Sequence, residues 1–317
     1  MTLPRLAVIA GPTASGKSGL ALRLAETTGG VVINADALQV YRDLRVLTAR
    51  PSRADEACAP HRLYGHVDGA EPHDAARWAA EARAAIAEAT LEGRLPILVG
   101  GTGLYLRALL DGLAPVPPIE ESVRSVVRGF APDEAWHCLV AEDARAAARL
   151  RPSDRQRIAR ALEVVRSTGR SLLEWQARWS GGLGDKMRVH GLIVQPPAPE
   201  TAERIAARLR EMMACGAVDE VDALIQSSDV PRDAPVWRAI GAREIARWRE
   251  GDGTREDAVA SAVAATRAYA KRQRTWFRHQ VPADWARANA ADGPEALAFL
   301  RSLTIDSAPV GLAGTGP

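Results

Sequence analysis

Residues 11–18 read GPTASGKS, a complete G-x-x-x-x-G-K-[ST] phosphate-binding loop. An apolar run at 6–10 precedes the loop and is typical of a buried strand, and residues 19–26 follow with helical character. Backbone N–H groups and the dipole of that helix would converge on an anion. Lys17 would add a point charge for phosphate oxygens, and the Ser18 hydroxyl could bind Mg²⁺. We therefore expect a di- or triphosphate ligand.

Every residue of the loop belongs to this expected diphosphate or nucleotide site. The set is Gly11, Pro12, Thr13, Ala14, Ser15, Gly16, Lys17 and Ser18.

Two more groups follow predicted strands, at 31–34 and 96–99. Ligands of open parallel sheets bind beyond the carboxyl ends of the strands, so both groups should face the phosphate. Asp36 is the candidate general base or metal ligand, although a helix or turn cap is an equally common role for aspartate. The glycine-rich segment 100–103 would let backbone approach a ligand closely and would present the Thr102 hydroxyl, or it would serve only as a tight strand-to-helix turn.

A cationic stripe lies near the C-terminal end of the sequence. At helical spacing, one face of residues 267–278 carries Arg267, Lys271, Arg274 and Arg278. The neighbouring face carries Tyr269, Arg272 and Trp276. Cations beside aromatic rings suit a nucleic-acid backbone with unstacked bases, whereas a solvated helix face is the more common explanation of such a stripe.

A second basic region lies between 119 and 180. Among its arginines are Arg124, Arg151, Arg155, Arg157, Arg160, Arg166 and Arg170. Acidic residues are sparse from 144 to 162, and a second basic surface raises the expectation of a nucleic-acid partner.

Arg204 and Arg208 are four residues apart on a predicted helix. One of them could clamp a phosphate. Alternatively, they pair in solvent with Glu203 or Glu211.

The 317 residues are 47% apolar and 25% charged with a net charge of +2, as in an ordinary globular protein. Strands alternating with helices over 1–114 predict an α/β fold: a P-loop NTPase-like parallel sheet flanked by helices, with a helical insertion domain. We expect a first core part at 1–114, the insertion at 115–186, a second core part with C-terminal helices at 187–303, and a disordered tail at 304–317.

Within these parts, Ser153 should cap a helix that ends near Thr168, with Gln156 closing a capping box and Gly169 as the stop. Later helices are expected at 202–215, 218–227, 236–250 and 256–279.

The three cysteines are isolated, so neither a zinc site nor a disulfide framework is expected from them. No apolar stretch reaches transmembrane length, and the first strand begins too early to leave room for a secretion signal. We expect a cytoplasmic protein that does not bind membranes.

With these residues in view, the chain resembles the tRNA dimethylallyltransferases, also called tRNA isopentenyltransferases, in their bacterial form. The resemblance extends from residue 6 to about 285, in landmarks that keep their order. They are 11–18, DALQVY at 36–41, TARP at 48–51, GGTGLY at 100–105, QRIARALE at 156–163, IGARE at 240–244 and KRQRTWFR at 271–278.

The resemblance implies transfer of a dimethylallyl group from dimethylallyl diphosphate to the exocyclic amine of the adenine 3′ of the anticodon, in tRNAs that read codons beginning with U. Family members are often described as ATP-binding because of the loop, but this reaction consumes no ATP. The implied catalytic residues are Asp36 as base, Lys17, Thr102 and Arg208, with Arg204 as the second candidate for the arginine. Mg²⁺ is the implied cofactor.

The resemblance also implies contacts with the anticodon stem-loop by a monomeric enzyme. The residues implied are Asp36, Ala37, Leu38, Gln39, Thr102, Arg124, Gln156, Arg157, Ile158, Ala159, Arg160, Arg238, Gly241, Arg243, Lys271, Arg272, Gln273, Arg274, Trp276 and Arg278. The chain departs from the usual family pattern at Ala37 (Ser), Leu47 (Gly), Arg50 (Lys) and Ala242 (Tyr).

Three other functions share part of this pattern. A small-molecule P-loop kinase would need the loop and Asp36, but neither of the basic regions. An adenylate isopentenyltransferase would act on free nucleotides. A non-enzymatic RNA-binding module would leave the complete loop and Asp36 unexplained.

Overall fold

The structure is a computed structural model that describes residues 3–305. Its elements in chain order are β1 Arg5–Ala10, α1 Lys17–Thr28, β2 Val31–Asn34, α2 Arg53–Cys58, β3 His61–Arg62, α3 Ala75–Leu91, β4 Pro96–Gly100, α4 Gly103–Leu110, β5 Gly112–Leu113, α5 Glu121–Gly129, α6 Pro132–Glu142, α7 Ala144–Ala147, α8 Arg155–Thr168, α9 Leu172–Gln176, β6 Ser180–Gly181, β7 Arg188–Val194, α10 Ala198–Ala214, α11 Ala217–Gln226, α12 Ala242–Arg249, α13 Arg255–His279, β8 Ala286–Ala288 and α14 Pro294–Ile305. Short 3₁₀ helices occupy Gly184–Lys186 and Pro235–Arg238.

Two compact units make up the described chain. One contains residues 3–106 and 184–305, and the other is Arg107–Leu183. The sequence placed the limits of the insertion at 115 and 186. The expected tail at 304–317 lies outside the described residues except for 304 and 305, which close α14.

A six-stranded sheet in the order β3-β2-β4-β1-β7-β8 is the centre of the first unit, and all its pairings are parallel. Strand β1 lies between β4 and β7, with Ala7 opposite both Ile97 and His190. Its residues 6–10 are fully buried, as an apolar run covered on both faces requires. Since all strands run in one direction, their carboxyl ends bring the segments after β1, β2 and β4 to one edge.

The second unit is helical, with one short antiparallel pair formed by β5 and β6. Its core includes Leu139, Ile158 and Leu162 from α6 and α8. Helix α8 ends at Gly169 in the left-handed conformation, as expected, but its N-cap is Asp154, whose carboxylate accepts from the Arg157 N–H at 3.3 Å. The expected cap at Ser153 is therefore wrong by one residue.

The later helices follow the expected order with one interruption. The segment expected as a single helix at 236–250 is a 3₁₀ turn followed by α12, because Gly241 adopts φ 99° and caps the second piece. Helix α13 begins at a capping box between Thr254 and Asp257 and runs for 25 residues. No helix among residues 3–305 is long and apolar enough to span a membrane.

Candidate active site at the carboxyl edge of the sheet

The loop at 11–18 connects β1 to α1 and forms a concave run of backbone amides. Ala14 has φ 59° and Gly16 has φ 87°, so the peptides alternate in the way that turns N–H groups toward an anion. Gly11 is required by a close approach, since a Cβ there would lie 2.2 Å from the Val194 carbonyl oxygen. The Lys17 ammonium donates to the Pro12 carbonyl oxygen at 3.2 Å and so lies across the loop.

Gln273 of α13 joins this loop to the segment after β4. Its Oε1 accepts from the Thr13 N–H at 2.9 Å, and its Nε2 donates to the Gly101 carbonyl oxygen at 2.9 Å. The side chain is buried, and a Cβ on Gly101 would lie 2.2 Å from the amide nitrogen. Glycine at 101 is therefore the residue that lets the amide bridge the two segments.

Asp36 follows β2 and is held by its own turn. Its backbone N–H donates to Asn34 Oδ1 at 2.8 Å, and its Oδ1 accepts from the Leu38 N–H at 3.0 Å. Asn34 is fully buried and also donates to the Asp36 carbonyl oxygen. The turn cap weighed from the sequence is therefore present, and the carboxylate remains partly exposed beside the loop, where its role as base or metal ligand stays a prediction.

Thr102 lies between Asp36 and α13. Its hydroxyl accepts from the Ala37 N–H at 3.0 Å, and its own N–H donates to the Ala35 carbonyl oxygen at 3.2 Å. Tyr269 hydrogen-bonds with Thr102, and burial raises the pKa of its phenol, so the hydroxyl stays protonated at neutral pH. The two hydroxyls form one ordered polar group next to the aspartate.

A cavity that is open to solvent lies beside Asp36 and the start of the phosphate loop. Its polar lining residues are Thr13, Asp36, Thr48, Arg208, Thr266 and Tyr269. Most of the remaining wall is apolar, namely Ala14, Leu38, Leu47, Ala49, Ile205, Leu209, Met212, Ala239 and Ile240. Such a cavity can hold a ligand with one anionic end and one small hydrocarbon group.

The charges at the loop act on one another. Desolvation lowers the pKa of Lys17 to about 8, the Asp36 carboxylate partly opposes this, and the Arg208 guanidinium adds to it. Arg208 lines the cavity within electrostatic range of Asp36, whereas Arg204 is bound to Glu200 one turn away. Of the two arginines considered for the phosphate, the structure therefore brings Arg208 to the site.

Glu220 of α11 fixes the cavity wall that contains Leu47. Its Oε1 accepts from the N–H groups of Arg45 and Val46 at 2.8 and 2.7 Å, and its Oε2 accepts from the Leu47 N–H at 3.0 Å. Sequence reasoning missed this residue and had no signal for it, because a glutamate 173 residues away from its partner has no local pattern.

Helix α13 presents its predicted residues in different directions. Lys271, Arg272 and Arg278 are exposed. Arg274 instead donates to the Pro196 carbonyl oxygen and, at 2.6 Å, to Thr201 Oγ1, and Arg267 donates to the Ala202 carbonyl oxygen.

The side chains of Gln273 and Arg274 are both engaged inside the unit, and their expected tRNA contacts stay predictions. Trp276 is partly buried, and a Cβ on Gly103 would lie 2.3 Å from its ring, so it packs against the start of α4.

The helical unit places most of its predicted contacts on its surface. Gln156, Arg157 and Arg160 are exposed, and Arg124 and Ala159 are partly buried. Ile158 is 1% exposed and its side chain packs in the unit's core, while its expected contact with tRNA stays a prediction.

Several of the unit's arginines form ion pairs with Asp or Glu. The sequence did not predict these pairs, because acidic residues are sparse from 144 to 162. The pairs are Arg124–Glu121, Arg157–Asp154, Arg160–Glu163, Arg166–Glu142 and Arg170–Glu174. Arg151 and Arg155 are exposed, and no ion pair found among residues 3–305 includes them.

The remaining predicted contacts surround the cavity wall. Leu38 lines the cavity, and Gln39 donates to the carbonyl oxygens of Thr48 and Ala49 at 2.9 and 3.1 Å. Arg238 and Arg243 are exposed, while Gly241 is buried against Leu47. The amide of Gln39 therefore holds the TARP segment in place.

The bridge made by Gln273 gives a testable prediction. Gln273→Glu removes the donor to the Gly101 carbonyl and places a carboxylate oxygen next to that carbonyl oxygen. The free energy of unfolding, measured by thermal unfolding, should therefore fall by about 2 kcal/mol. Gln280→Glu makes the same chemical change on an exposed residue of the same segment and should leave the stability within about 0.5 kcal/mol of wild type. Equal stability of the two variants would contradict the bridge.

Comparison with known proteins agrees with this geometry. A family model described as IPP transferase matches residues 39–280, more than half of the chain, and one described as isopentenyl transferase matches residues 4–68. The tRNA dimethylallyltransferase of Sphingopyxis alaskensis is 54% identical over 283 residues, or 89% of this chain and 92% of that protein. The Zymomonas mobilis protein of the same name is 51% identical over 88% of this chain and 89% of its own length.

Two solved structures share the fold. A eukaryotic dimethylallyltransferase acting on tRNA is 29% identical, with a TM-score of 0.75 over 86% of this chain and 70% of that one. The full-length tRNA isopentenylpyrophosphate transferase of Bacillus halodurans is also 29% identical, with a TM-score of 0.67 over 95% of each chain. The expected P-loop NTPase-like α/β fold is confirmed, and the chain belongs to the IPP transferase family, a family of prenyltransferases.

Proposed function

We propose that the chain transfers a dimethylallyl group from dimethylallyl diphosphate to the exocyclic amine of the adenine 3′ of the anticodon, in tRNAs that read codons beginning with U. The observation that carries this proposal is the cavity, because Thr13, Arg208 and Asp36 share its surface with an otherwise mostly apolar wall. An apolar wall beside the phosphate loop suits the hydrocarbon group of a prenyl donor. The products are isopentenyladenosine-containing tRNA and diphosphate.

The phosphate loop would hold the leaving group. Breaking the allylic C–O bond develops negative charge on the diphosphate, and donors already oriented toward that charge stabilise it without reorganisation. The amides of 14–18 and the Lys17 ammonium would supply such donors, with Arg208 at the cavity wall. Binding energy is thus concentrated where charge appears in the transition state.

Mg²⁺ fits the oxygen donors at this place. The Ser18 side chain is exposed on the first turn of α1, next to Lys17. Mg²⁺ commonly retains waters and takes substrate phosphate oxygens, so one hydroxyl from the protein is sufficient. When bound, it would neutralise charge on the diphosphate.

Asp36 would accept the proton from the adenine amine as the new C–N bond forms. The turn through Asn34 and Leu38 holds one carboxylate oxygen of Asp36 in place. The other carboxylate oxygen would accept the proton from the adenine amine. Thr102 and Tyr269 would position the amine by hydrogen bonds next to that carboxylate. The adenine would leave the anticodon-loop stack to enter the cavity, as enzymes that modify bases generally require.

The tRNA backbone would be held by exposed cations. On α13 these are Lys271, Arg272 and Arg278, and on the helical unit Arg151, Arg155, Arg157 and Arg160. Ion pairs such as Arg157–Asp154 at the surface contribute little stability, so phosphate can compete for the guanidinium. The enzyme would act as a monomer in the cytoplasm.

A labelling assay tests the function. Dimethylallyl diphosphate labelled in its prenyl group is incubated with the protein and either anticodon stem-loop RNA or AMP, and ATP with small acceptors is tested separately. We expect label only in the adenine 3′ of the anticodon, identified by nucleoside mass spectrometry. Label confined to AMP, or phosphate transfer from ATP, would contradict the proposal.

The role of Asp36 can be separated from its turn. Asp36→Asn keeps an acceptor for the Leu38 N–H but removes the base, so kcat should fall about 10²- to 10⁴-fold with tRNA binding nearly unchanged. Asp68→Asn is the matched control, because Asp68 also accepts a backbone N–H two residues ahead, from Ala70 at 3.0 Å. Turnover of the Asp36 variant near the wild-type value would remove Asp36 as the base.

The lowered pKa of Lys17 predicts a pH dependence. With a pKa of about 8 in the folded protein, the ammonium is charged below pH 8 and loses its charge as the pH rises. Hence kcat/KM for dimethylallyl diphosphate should fall above pH 8, approaching roughly tenfold per pH unit. The measurement is kcat/KM from pH 7 to 9 at saturating tRNA.

Two substitutions control for this effect. Lys17→Arg retains its charge, so its lower kcat/KM should be flat over the same range. Lys186→Arg changes an exposed lysine and should retain the decline. A flat profile of the wild-type enzyme would show that Lys17 charge is not needed.

The basic face of α13 predicts a salt dependence. Replacing both Lys271 and Arg278 with alanine should weaken stem-loop binding and reduce the slope of log K against log [salt] by about 1 per residue. Arg255→Ala, on the exposed first turn of the same helix, should leave the slope unchanged. The assay is fluorescence anisotropy of a labelled stem-loop between 50 and 300 mM salt, roughly the range over which such slopes are resolved. Equal slopes for the wild type, the double variant and Arg255→Ala would show that this face of α13 does not bind the RNA backbone.

A further inference from the structure

Two histidines and a glutamate meet next to α3, apart from the groups assigned to transfer. His66 follows β3, His73 precedes α3, and Glu81 lies on α3. The Nε2 atoms of both histidines are 2.9 Å from the same oxygen, Glu81 Oε2. Among residues 3–305 this is the one group of three such side chains whose ligand atoms all lie within 4.8 Å of one another.

The donor set has a definite chemical preference. Two imidazole nitrogens with one carboxylate oxygen suit Zn²⁺ and Co²⁺, whereas Mg²⁺ prefers oxygen ligands alone. Tetrahedral metal–ligand bonds of about 2.0–2.2 Å place neighbouring ligand atoms roughly 3.3–3.6 Å apart, so the two histidines, now 2.9 Å from Glu81 Oε2, need to move by only a few tenths of an ångström to receive an ion. The His73 side chain is fully buried, while His66 is 30% exposed, so an ion could enter from the His66 side.

His73 also has a partner that orients its ring. Its Nδ1 lies 3.2 Å from the Tyr105 hydroxyl, and burial raises the pKa of that phenol. A metal on Nε2 requires the ring proton on Nδ1, where the Tyr105 oxygen can accept it. Tyr105 is itself stacked on Trp78 at 4.4 Å between ring centroids. This stacking holds the Tyr105 hydroxyl in place beside His73.

The charges around Glu81 are balanced. Arg77 donates through Nε to Glu81 Oε1 at 3.0 Å and binds Glu71 with its other end. Oε2 is left for the two histidines and an ion between them, and the Glu71 carboxylate offsets the guanidinium charge.

We propose that His66, His73 and Glu81 bind one divalent transition metal ion of the Zn²⁺ class, at a site separate from the diphosphate. The ion would support the active-site edge, because Trp78 beneath Tyr105 donates through Nε1 to the Asn34 carbonyl oxygen at 2.9 Å. Asn34 in turn holds the turn of Asp36. The role assigned to the ion is structural, and transfer at the cavity does not pass through it.

Cobalt provides the test, since Zn²⁺ has no visible spectrum. Chelator-treated full-length protein is titrated with Co²⁺ and followed by its d–d absorption, and Zn²⁺ is then added to displace it. We expect one equivalent per chain. His66→Ala and His73→Gln should each weaken Co²⁺ binding at least about tenfold. His137→Ala, an exposed histidine in the helical unit, should bind like wild type.

Thermal unfolding gives a second readout. Zn²⁺ at tenfold excess should raise the Tm of the wild-type protein and of His137→Ala but not that of His66→Ala, and Mg²⁺ should raise none of them. Because His66 is exposed, its alanine variant should fold. Absence of Co²⁺ absorption in the wild type, or equal binding by His66→Ala, would overturn the proposal. Neither result depends on whether dimethylallyl transfer is observed.

Discussion

The site depends on one buried amide. Gln273 accepts from the amide of the phosphate loop with one end and donates to the carbonyl after β4 with the other, so two segments 88 residues apart in the chain share one partner. Neither segment is regular structure, and each would otherwise leave a buried polar group without a hydrogen bond. Because the amide belongs to α13, the helix that presents Lys271 to solvent also fixes the floor of the cavity. The exposed Lys271 cation and the buried Gln273 amide are therefore both positioned by α13.

The same helix shows why the sequence predicted some contacts and not others. Spacing alone placed Lys271, Arg274 and Arg278 on one face, and a 25-residue helix was indeed found. Periodicity specifies directions around the helix axis, but it does not specify which neighbour covers each direction. Thr201 and Pro196 cover Arg274, and they lie more than 70 residues away in the chain. For Ile158 the apolar side chain itself was the signal, because an isoleucine on an amphipathic helix favours the core.

Local sequence was sufficient where the function resides in backbone geometry. The loop at 11–18, the carboxylate after β2 and the glycines after β4 each follow an apolar strand, and parallel pairing brings those strand ends together whatever lies elsewhere. The parts that were missed, such as Glu220 beneath residues 45–47, join distant segments. A carboxylate that accepts three backbone N–H groups replaces the hydrogen bonds of a strand or helix, and no periodic pattern accompanies it.

The cavity wall can be understood from the same contacts. Leu47 lines the cavity, and a Cβ on Gly241 would lie 2.9 Å from its Cδ1. Gly241 has φ 99° and its peptide N–H donates to Glu244 at 3.1 Å, so this backbone cannot retreat from the leucine. Glu220 holds the leucine backbone from the other side. The leucine thus packs between two segments that are each held by hydrogen bonds, and its side chain bounds the cavity on this side.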